Sequence, residues 1–147
     1  MTAYRRDSHT ITDIEYHIVW VTKYRYKVLT GEVALRTRDL LRQICLSREI
    51  VIIKGSVGKD HVHMLISCPP KLSPSKIVQY LKGRSSRRLQ EEFSHLQKRY
   101  WGQHLWARGY FCATVGSVTD EIVKEYIENQ KFEINTNDFK IEDEFQS

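Results

Sequence analysis

Apolar and polar residues alternate along this chain with two different periods. A period of two, rich in β-branched and aromatic residues, is typical of strands, and a period of about 3.6 is typical of amphipathic helices. The elements predicted in this way are strands over Ile14–Thr22, Ile50–Ile53, His61–Cys68 and Leu105–Val115, and helices over Glu32–Arg48, Ser73–Phe93 and from Thr119 onward. Their order is strand, helix, strand, strand, helix, strand, helix.

Glycine and proline mark where these elements end. Gly55, Gly58 and Lys59-Asp60 are predicted to turn the second strand into the third, so that the two strands pair as a hairpin. Pro69-Pro70 ends the third strand, and Ser73 is predicted to cap the helix after it, with Pro74 at the first helical position. Three further expectations are a bulge at Gly109, a hinge at Gly116-Ser117 and a polar, poorly ordered tail after Phe132.

The order of elements predicts an α+β protein of the ferredoxin-like (RRM-like) class. In that split βαβ fold the sheet is antiparallel, and here one helix is added at the C-terminus. With 147 residues and 41% hydrophobic content, the chain is large enough for one hydrophobic core. We therefore expect a single domain over residues 1–147, with its core at about 14–131 and a polar tail over 132–147. Because this fold supports many functions, the function has to be argued from particular residues.

Charge and cysteine content narrow the possible partners and compartments. The formal charge of +5 and the pI of about 9.1 favour a polyanionic partner such as nucleic acid. Cys45, Cys68 and Cys112 are odd in number and far apart, which indicates neither a disulfide framework nor a zinc site. No stretch approaches the ~18 apolar residues of a membrane span. We expect a cytoplasmic protein without a membrane partner.

Two histidines share one face of the third predicted strand. Alternation places His61 and His63 on one side and Val62 and Met64 on the other. At the usual rise the two histidine Cα atoms lie about 6.6 Å apart, so both imidazoles can reach one divalent ion. The strand supplies no third ligand, and a half-exposed histidine pair without a metal is an equally simple interpretation of this motif alone.

The last predicted helix carries a second candidate group. Ile122, Val123 and Ile127 form its apolar stripe, while Tyr126 and Gln130 lie four residues apart on an adjacent face. A tyrosine oxygen can attack phosphorus, and an amide oxygen can bind a hard cation. By itself, a tyrosine in this position is more often a rim residue of an amphipathic helix.

Three segments together resemble one enzyme family. They are Tyr16–Arg25 (YHIVWVTKYR), Asp60–Leu65 (DHVHML) and Glu125–Gln130 (EYIENQ). Their sequences and order resemble the single-tyrosine HUH transposases, the TnpA enzymes of the bacterial insertion-sequence two-hundred and six-hundred-five group, over roughly residues 14–130.

The resemblance implies a mechanism and a set of partners. His61, His63 and Gln130 match the residues that hold one Mg²⁺ or Mn²⁺ at the scissile phosphate of single-stranded DNA. Tyr126 matches the nucleophile, which forms a 5′-phosphotyrosine that a 3′-hydroxyl later reseals without ATP or another nucleotide cofactor. The family also implies recognition of hairpins near the ends of an insertion sequence, and a homodimer in which one subunit's tyrosine helix can complete the other's histidine site.

Other basic and aromatic residues receive weaker assignments. His17, His95 and His104 are expected to be structural or solvent-facing, and Trp20, Trp101 and Trp106 to lie in the core. The candidates for phosphate contacts are Arg5, Arg6, Lys23, Arg25, Lys82, Arg84, Arg87 and Arg88.

Three alternatives remain open at this point. Arg108-Gly109-Tyr110 resembles the start of an RNA-recognition strand, although Cys112–Val115 lacks the later aromatic residues of that motif. An HUH replication initiator or relaxase shares the chemistry but normally has a longer chain. A domesticated relative acting on dispersed genomic hairpins would have the same site, and only the genomic context of the gene would distinguish it.

Overall fold

The computed structural model describes residues 4–6, 9–114 and 120–137, with backbone alone for residues 120 and 130–137. A short N-terminal hairpin precedes the main sheet, and one 3₁₀ turn follows the first long strand. In chain order the elements are β1 (Arg5–Arg6), β2 (Ile11–Thr12), β3 (Glu15–Val21), the 3₁₀ turn (Lys23–Arg25), α1 (Gly31–Ser47), β4 (Val51–Val57), β5 (His61–Ser67), α2 (Pro74–Glu92), α3 (Ser94–Arg99), β6 (Phe111–Thr114) and α4 (Asp120–Asn137).

The four longer strands form one antiparallel sheet in the order β4-β5-β3-β6. The strand that follows α1 pairs with β5 rather than with β3, which is the split βαβ arrangement. The predicted fold class is confirmed. Along one row of the sheet, Ser56, His63, Val19 and Phe111 are direct neighbours on four successive strands.

One face of this sheet carries the main hydrophobic core. Trp20 of β3 and Val62 and Ile66 of β5 have no exposed surface, and they pack against apolar residues of α1 and α2. Helix α2 begins as predicted, because the Ser73 side chain accepts a hydrogen bond from the Lys76 amide at 3.2 Å.

The opposite face of the sheet is covered by α4. Here a smaller cluster joins Val19 and Val21 of β3 to Val123 and Ile127 of α4. The predicted apolar stripe of the last helix therefore packs on the sheet through these two residues. Side chains of the histidine face lie in this layer, on the side of the sheet away from α1 and α2.

The predicted strand over Leu105–Val115 is wrong for its first six residues, since β6 begins at Phe111. This segment forms an isolated bridge between Trp106 and Thr22, and side chains of α2 also contact it. The Leu105 amide donates to Ser86 Oγ at 3.1 Å, and the Trp106 indole donates to Ser85 Oγ at 2.9 Å. Gly109, where a bulge was expected, lies in this loop with φ of +81°.

The second predicted strand is longer than expected. Strand β4 runs to Val57, with an irregularity in its pairing between Ile52 and Lys54. Gly55 therefore lies inside the strand, and the turn into β5 begins at Gly58. Helix α3 and the β1–β2 hairpin were not predicted.

Several expectations about the C-terminal region are corrected or untested. The last helix continues to Asn137, beyond the predicted start of the tail at Phe132. Val115, Gly116-Ser117 and Thr119 lie outside the described residues, as do residues 138–147.

The remaining sequence expectations have mixed outcomes. Trp20 and Trp106 are buried as expected, but Trp101 is 87% exposed, so its assignment to the core is wrong. All three cysteines are free thiols. No helix within the described residues is long and apolar enough to cross a membrane.

Candidate active site

The two histidines lie on the face of β5 that looks toward α4. His61 and His63 are partly exposed, whereas Val62 and Met64 between and beyond them are buried in the main core. Alternation along β5 therefore places both histidines on one face of the sheet, as predicted.

Asp60 orients the imidazole of His61. The Nδ1 atom of His61 lies 2.9 Å from Oδ1 of Asp60. Because an ionised carboxylate only accepts hydrogen bonds, Nδ1 must carry the proton, and Nε2 keeps its lone pair in the neutral ring. A carboxylate behind a histidine in this way is a recurring support of metal-binding imidazoles.

Arg25 in turn holds Asp60. The guanidinium contacts Oδ2 of Asp60 through Nε at 2.9 Å and through Nη2 at 2.8 Å. Burial alone would raise the pKa of Asp60, but the hydrogen bonds and charges of His61 and Arg25 outweigh it and lower this pKa below its ordinary value. Asp60 is thus an anion at neutral pH.

His17, expected to be structural or solvent-facing, lies in the site instead. Its Nδ1 atom is 3.1 Å from Nε2 of His63, and the two ring centroids are 5.3 Å apart. Burial and the nearby charge of Lys54 lower the pKa of His17, which favours a neutral imidazole at pH 7. Alternation in β3 puts His17 on the same face as Val19. Val19 is paired with His63 of β5, so the pairing of these two strands brings His17 close to His63.

Gly58 makes room for the His61 ring. A Cβ atom added at position 58 would overlap that ring, at 2.7 Å from Nε2 and 2.8 Å from Nδ1. The Gly58 amide also donates to the His61 carbonyl at 2.8 Å, which closes the turn into β5. The sequence predicts Gly58 in the turn, whereas its contact with His61 is set by the tertiary structure.

Helix α4 lies over the histidine face of the sheet. A cleft of about 360 Å³ separates the helix from the His61 side of the sheet, lined by Arg25, Asp60, His61, Val123, Lys124, Ile127 and Glu128. The Tyr126 ring packs instead against Phe111 of β6, with centroids 5.7 Å apart. Strands β5 and β6 lie on opposite sides of β3. The two histidines belong to β5, and the Tyr126 ring contacts β6. The side chain of Gln130 lies outside the described residues.

The donor set is compatible with a divalent cation but incomplete without a further ligand. His61 presents a lone pair on a ring fixed by Asp60, and a neutral His17 beside His63 adds no opposing charge. In the part of the chain that the structure describes, no three His, Cys, Asp or Glu side chains cluster closely enough to hold a metal. The predicted third donor, Gln130, is an amide and belongs to the undescribed side chains.

The eight basic candidates differ in exposure and in their contacts. Arg6, Arg84 and Arg87 are exposed. Arg5 donates to the Ser67 carbonyl at 3.2 Å, and Arg88 pairs with Glu92 at 3.0 Å. Lys23 lies over the Tyr24 ring, 5.3 Å from its centroid, and Arg25 is engaged with Asp60 as described.

Lys82, predicted to contact phosphate, binds backbone carbonyls of the loop before β6. Its ammonium donates to the carbonyls of Ala107 and Gly109, at 2.7 and 3.0 Å. Burial lowers the pKa of Lys82 to about 8. Together with Arg87 and Arg108, it lines a groove of about 680 Å³ between α2 and the loop before β6. This groove lies on the α2 side of the sheet, away from His61 and His63.

The RNA-recognition alternative loses its structural basis. Arg108-Gly109-Tyr110 lies in the loop before β6 and in no strand. An RNA-recognition strand requires its aromatic residues on the open face of a central strand.

Comparison with known proteins supplies the family. The family profile described as "Transposase IS200 like" matches residues 10–130. The chain belongs to the IS200-like transposases. It is 39% identical over 123 residues to the transposase for insertion sequence element IS200 of Salmonella typhimurium, covering 84% of this chain and 80% of the relative. It is 38% identical over 120 residues to the ISDra2 transposase TnpA of Deinococcus radiodurans, covering 82% and 86%.

Solved structures agree with this transposase fold. A crystal structure of a transposase-like protein from Deinococcus radiodurans superposes with a TM-score of 0.80 at 36% identity, over 86% of this chain and 97% of that one. The REP-associated tyrosine transposase bound to a REP hairpin has a TM-score of 0.53 at 15% identity, over 88% and 68% of the two chains. At 15% identity, the second similarity supports the fold alone.

Proposed function

We propose that this transposase cuts and rejoins single-stranded DNA at insertion-sequence ends through a covalent tyrosine intermediate. The observation that carries the proposal is the oriented histidine pair, His61 and His63, facing the helix that bears Tyr126. A phenol can serve as the nucleophile in phosphoryl transfer, and two imidazoles on a facing element are suited to hold a cation that activates the phosphate. Since the substrate is DNA, we expect it to act in the cytoplasm.

In the proposed reaction the Tyr126 oxygen attacks the scissile phosphorus and loses its proton to solvent or a nearby base. The bond from phosphorus to the 3′ oxygen breaks, and that oxygen leaves as a hydroxyl. A 5′-phosphotyrosine link remains. A second 3′-hydroxyl then attacks this phosphorus and returns the phenol, so the number of phosphoester bonds is unchanged and ATP is not needed.

We further propose that His61, His63 and Gln130 would hold one Mg²⁺ or Mn²⁺. Such an ion would polarise the scissile phosphate and orient it for attack. The contribution of the chain is to place both imidazoles on one face of β5 and to fix the His61 ring through Asp60. Arg84 and Arg87, which are exposed on α2, remain our candidates for contacts to the hairpin phosphates.

We also propose a homodimer with exchanged tyrosines, as the resemblance to the family implies. In the single chain, the Tyr126 ring packs against Phe111 of β6. We propose that the tyrosine helix of one subunit serves the histidine pair of a second copy.

The first experiment tests the chemistry. Single-stranded oligonucleotides that cover both flanks of the gene are incubated with protein and Mn²⁺ or Mg²⁺, then resolved on a denaturing gel. We expect a metal-dependent covalent adduct that is lost in Tyr126→Phe and His61→Ala and retained in Tyr110→Phe, a control on an exposed tyrosine of another segment. An adduct that survives Tyr126→Phe would overturn the nucleophile assignment.

The second experiment tests the exchange between subunits. Tyr126→Phe and His61→Ala are inactive alone, but a mixed dimer contains one site with both groups intact if tyrosines act on the partner. We therefore expect activity to return on mixing. If the tyrosine acts within its own chain, every site of the mixed dimer lacks one group and no activity returns.

A further inference from the structure

Arg25 connects three parts of the site at once. Besides its two contacts to Asp60, it donates from Nη1 to the backbone carbonyl of Ile127 in α4 at 2.7 Å. Asp60 in turn accepts from His61. One side chain therefore touches both the carboxylate that orients a histidine and the helix that carries the tyrosine.

The backbone around Arg25 indicates that this placement is specific. Tyr24 and Arg25 are consecutive non-glycine residues with positive φ, at +63° and +56°. This left-handed conformation is costly for such residues, and it persists where surrounding contacts impose it. Here the pair lies in the 3₁₀ turn after β3, and the Arg25 side chain reaches Asp60 and α4.

The guanidinium is also well shielded. The side chains of Arg25 and Asp60 are only 13% and 9% exposed. A planar guanidinium has five donors in a fixed fork, so it can bind a carboxylate and a carbonyl together, whereas a lysine ammonium acts as a single point charge. The geometry thus depends on arginine rather than on positive charge alone.

We propose that Arg25 is a positioning residue that couples the docking of α4 to the orientation of His61. Its catalytic consequence rests on the proposed function, but the coupling itself is a property of the metal-free and DNA-free protein. This role replaces the phosphate contact predicted for Arg25, because its donors already bind Asp60 and Ile127.

The test compares Arg25→Gln and Arg25→Lys with wild type by NMR without metal or DNA. Amide hydrogen exchange over residues 121–129 reports the docking of α4, and the ¹⁵N shifts of the His61 ring report which nitrogen is protonated. In Arg25→Gln we expect exchange in α4 to rise at least about tenfold, with exchange in β3 and β5 unchanged. We also expect the His61 ring to show a mixture of tautomers, because Asp60 loses its fixed position.

Arg36→Gln is the matched control. Arg36 also makes a two-point contact to a carboxylate, at 2.7 and 2.9 Å from Glu92, but it joins α1 to α2 on the other face of the sheet. We expect Arg36→Gln to leave both readouts at wild-type values. Arg25→Lys should keep the pairing with Asp60 but loosen α4, because one ammonium cannot replace the fork.

The outcomes distinguish the role of Arg25 from the proposed catalytic function. If folded Arg25→Gln keeps wild-type exchange in α4 and a single His61 tautomer, the coupling is wrong. If Arg25→Gln does not fold, Arg25→Lys decides, and wild-type behaviour of that variant overturns the proposal. A changed α4 in a protein that never forms a DNA adduct would retain the role of Arg25 and reject the proposed function instead. Where metal binds, Mn²⁺ affinity should fall about 10- to 100-fold in Arg25→Gln, as for other partners of ligating histidines.

Discussion

Glycine at position 58 is required by the space around one histidine. An added methyl group would overlap the His61 imidazole, which cannot yield freely because Asp60 holds its Nδ1 atom. We expect Gly58→Ala to displace this ring and to reduce adduct formation at least about tenfold, while the sheet remains folded. The adduct assay and a circular dichroism spectrum together check this expectation.

Gly55→Ala provides the comparison for this prediction. A Cβ atom at Gly55 would make ordinary contact with Ile52 Cγ2 at 3.6 Å, on the same strand of the same hairpin. We expect activity near wild type in Gly55→Ala. Equal losses in both variants would mean that the hairpin, and not the clearance around His61, limits activity.

Lys82 stabilises the fold, although the sequence predicts a phosphate contact for it. Its two carbonyl contacts predict that Lys82→Met lowers the free energy of unfolding by about 1–3 kcal/mol, because a charged donor is lost. The same variant should leave the salt dependence of hairpin binding unchanged. Urea unfolding and a salt titration of hairpin binding measure the two effects.

Arg87→Met is the counterpart on the same helix. Arg87 is exposed, so its replacement should leave stability within about 0.5 kcal/mol of wild type. If Arg87 contacts a phosphate, the log-log salt slope should decrease by about 0.7 to 0.9. A decreased slope in Lys82→Met would restore Lys82 as a DNA contact.

At the scale of elements, α2 acts as the support of the loop before β6. Ser85 accepts the hydrogen bond of the buried Trp106 indole at 2.9 Å. In Ser85→Ala this indole N–H is left buried without that acceptor, and we expect a loss of about 1–3 kcal/mol in the free energy of unfolding. Thermal and urea unfolding would measure it.

Ser47→Ala serves as the control for this loss. Its hydroxyl donates to the Ile44 carbonyl of its own helix at 2.8 Å, and the residue is exposed. We expect a change of less than about 0.5 kcal/mol. If Ser85→Ala is equally mild, the Trp106 contact does not anchor the loop.

At the scale of the whole molecule, the buried thiols make stability depend on alkaline pH. Burial, reinforced by the neighbouring Cys68, raises the pKa of Cys45 from 9.0 to about 12. Between these values the unfolded thiol loses its proton and the folded one keeps it, so the folded state binds more protons and stability falls as pH rises. At pH 10 the contribution of Cys45 should be lower than at pH 8 by about 1.4 kcal/mol, the energy of one pKa unit.

The measurement is urea unfolding of wild type and Cys45→Ala at pH 8 and pH 10. At each pH the two proteins are compared in the same buffer. The pH-dependent contributions of the groups that they share then cancel from the difference in their free energies of unfolding. We expect the difference in stability between them to shrink at pH 10. An unchanged difference would show that the Cys45 thiol is not shielded from ionisation.

Local patterns in the sequence determined the longer helices and most of the main sheet, and they predicted two groups of candidate site residues. Alternation put His61 and His63 on one face because side-chain direction in a strand depends on neighbouring residues alone. Helical spacing likewise put Val123 and Ile127 on one face of the last helix. The order of elements predicted the split βαβ sheet, and the resemblance in three segments predicted the family that the comparisons confirm.

Only the tertiary structure decided how those groups are supported and aimed. Arg25 contacts a carboxylate 35 residues away and a carbonyl 102 residues away, and His17 meets His63 across 46 residues. No local period carries such contacts, because they depend on which strands pair and in what register. The direction of Tyr126 toward Phe111 has the same origin, since helical spacing fixes which residues share a face but not which part of the sheet that face meets.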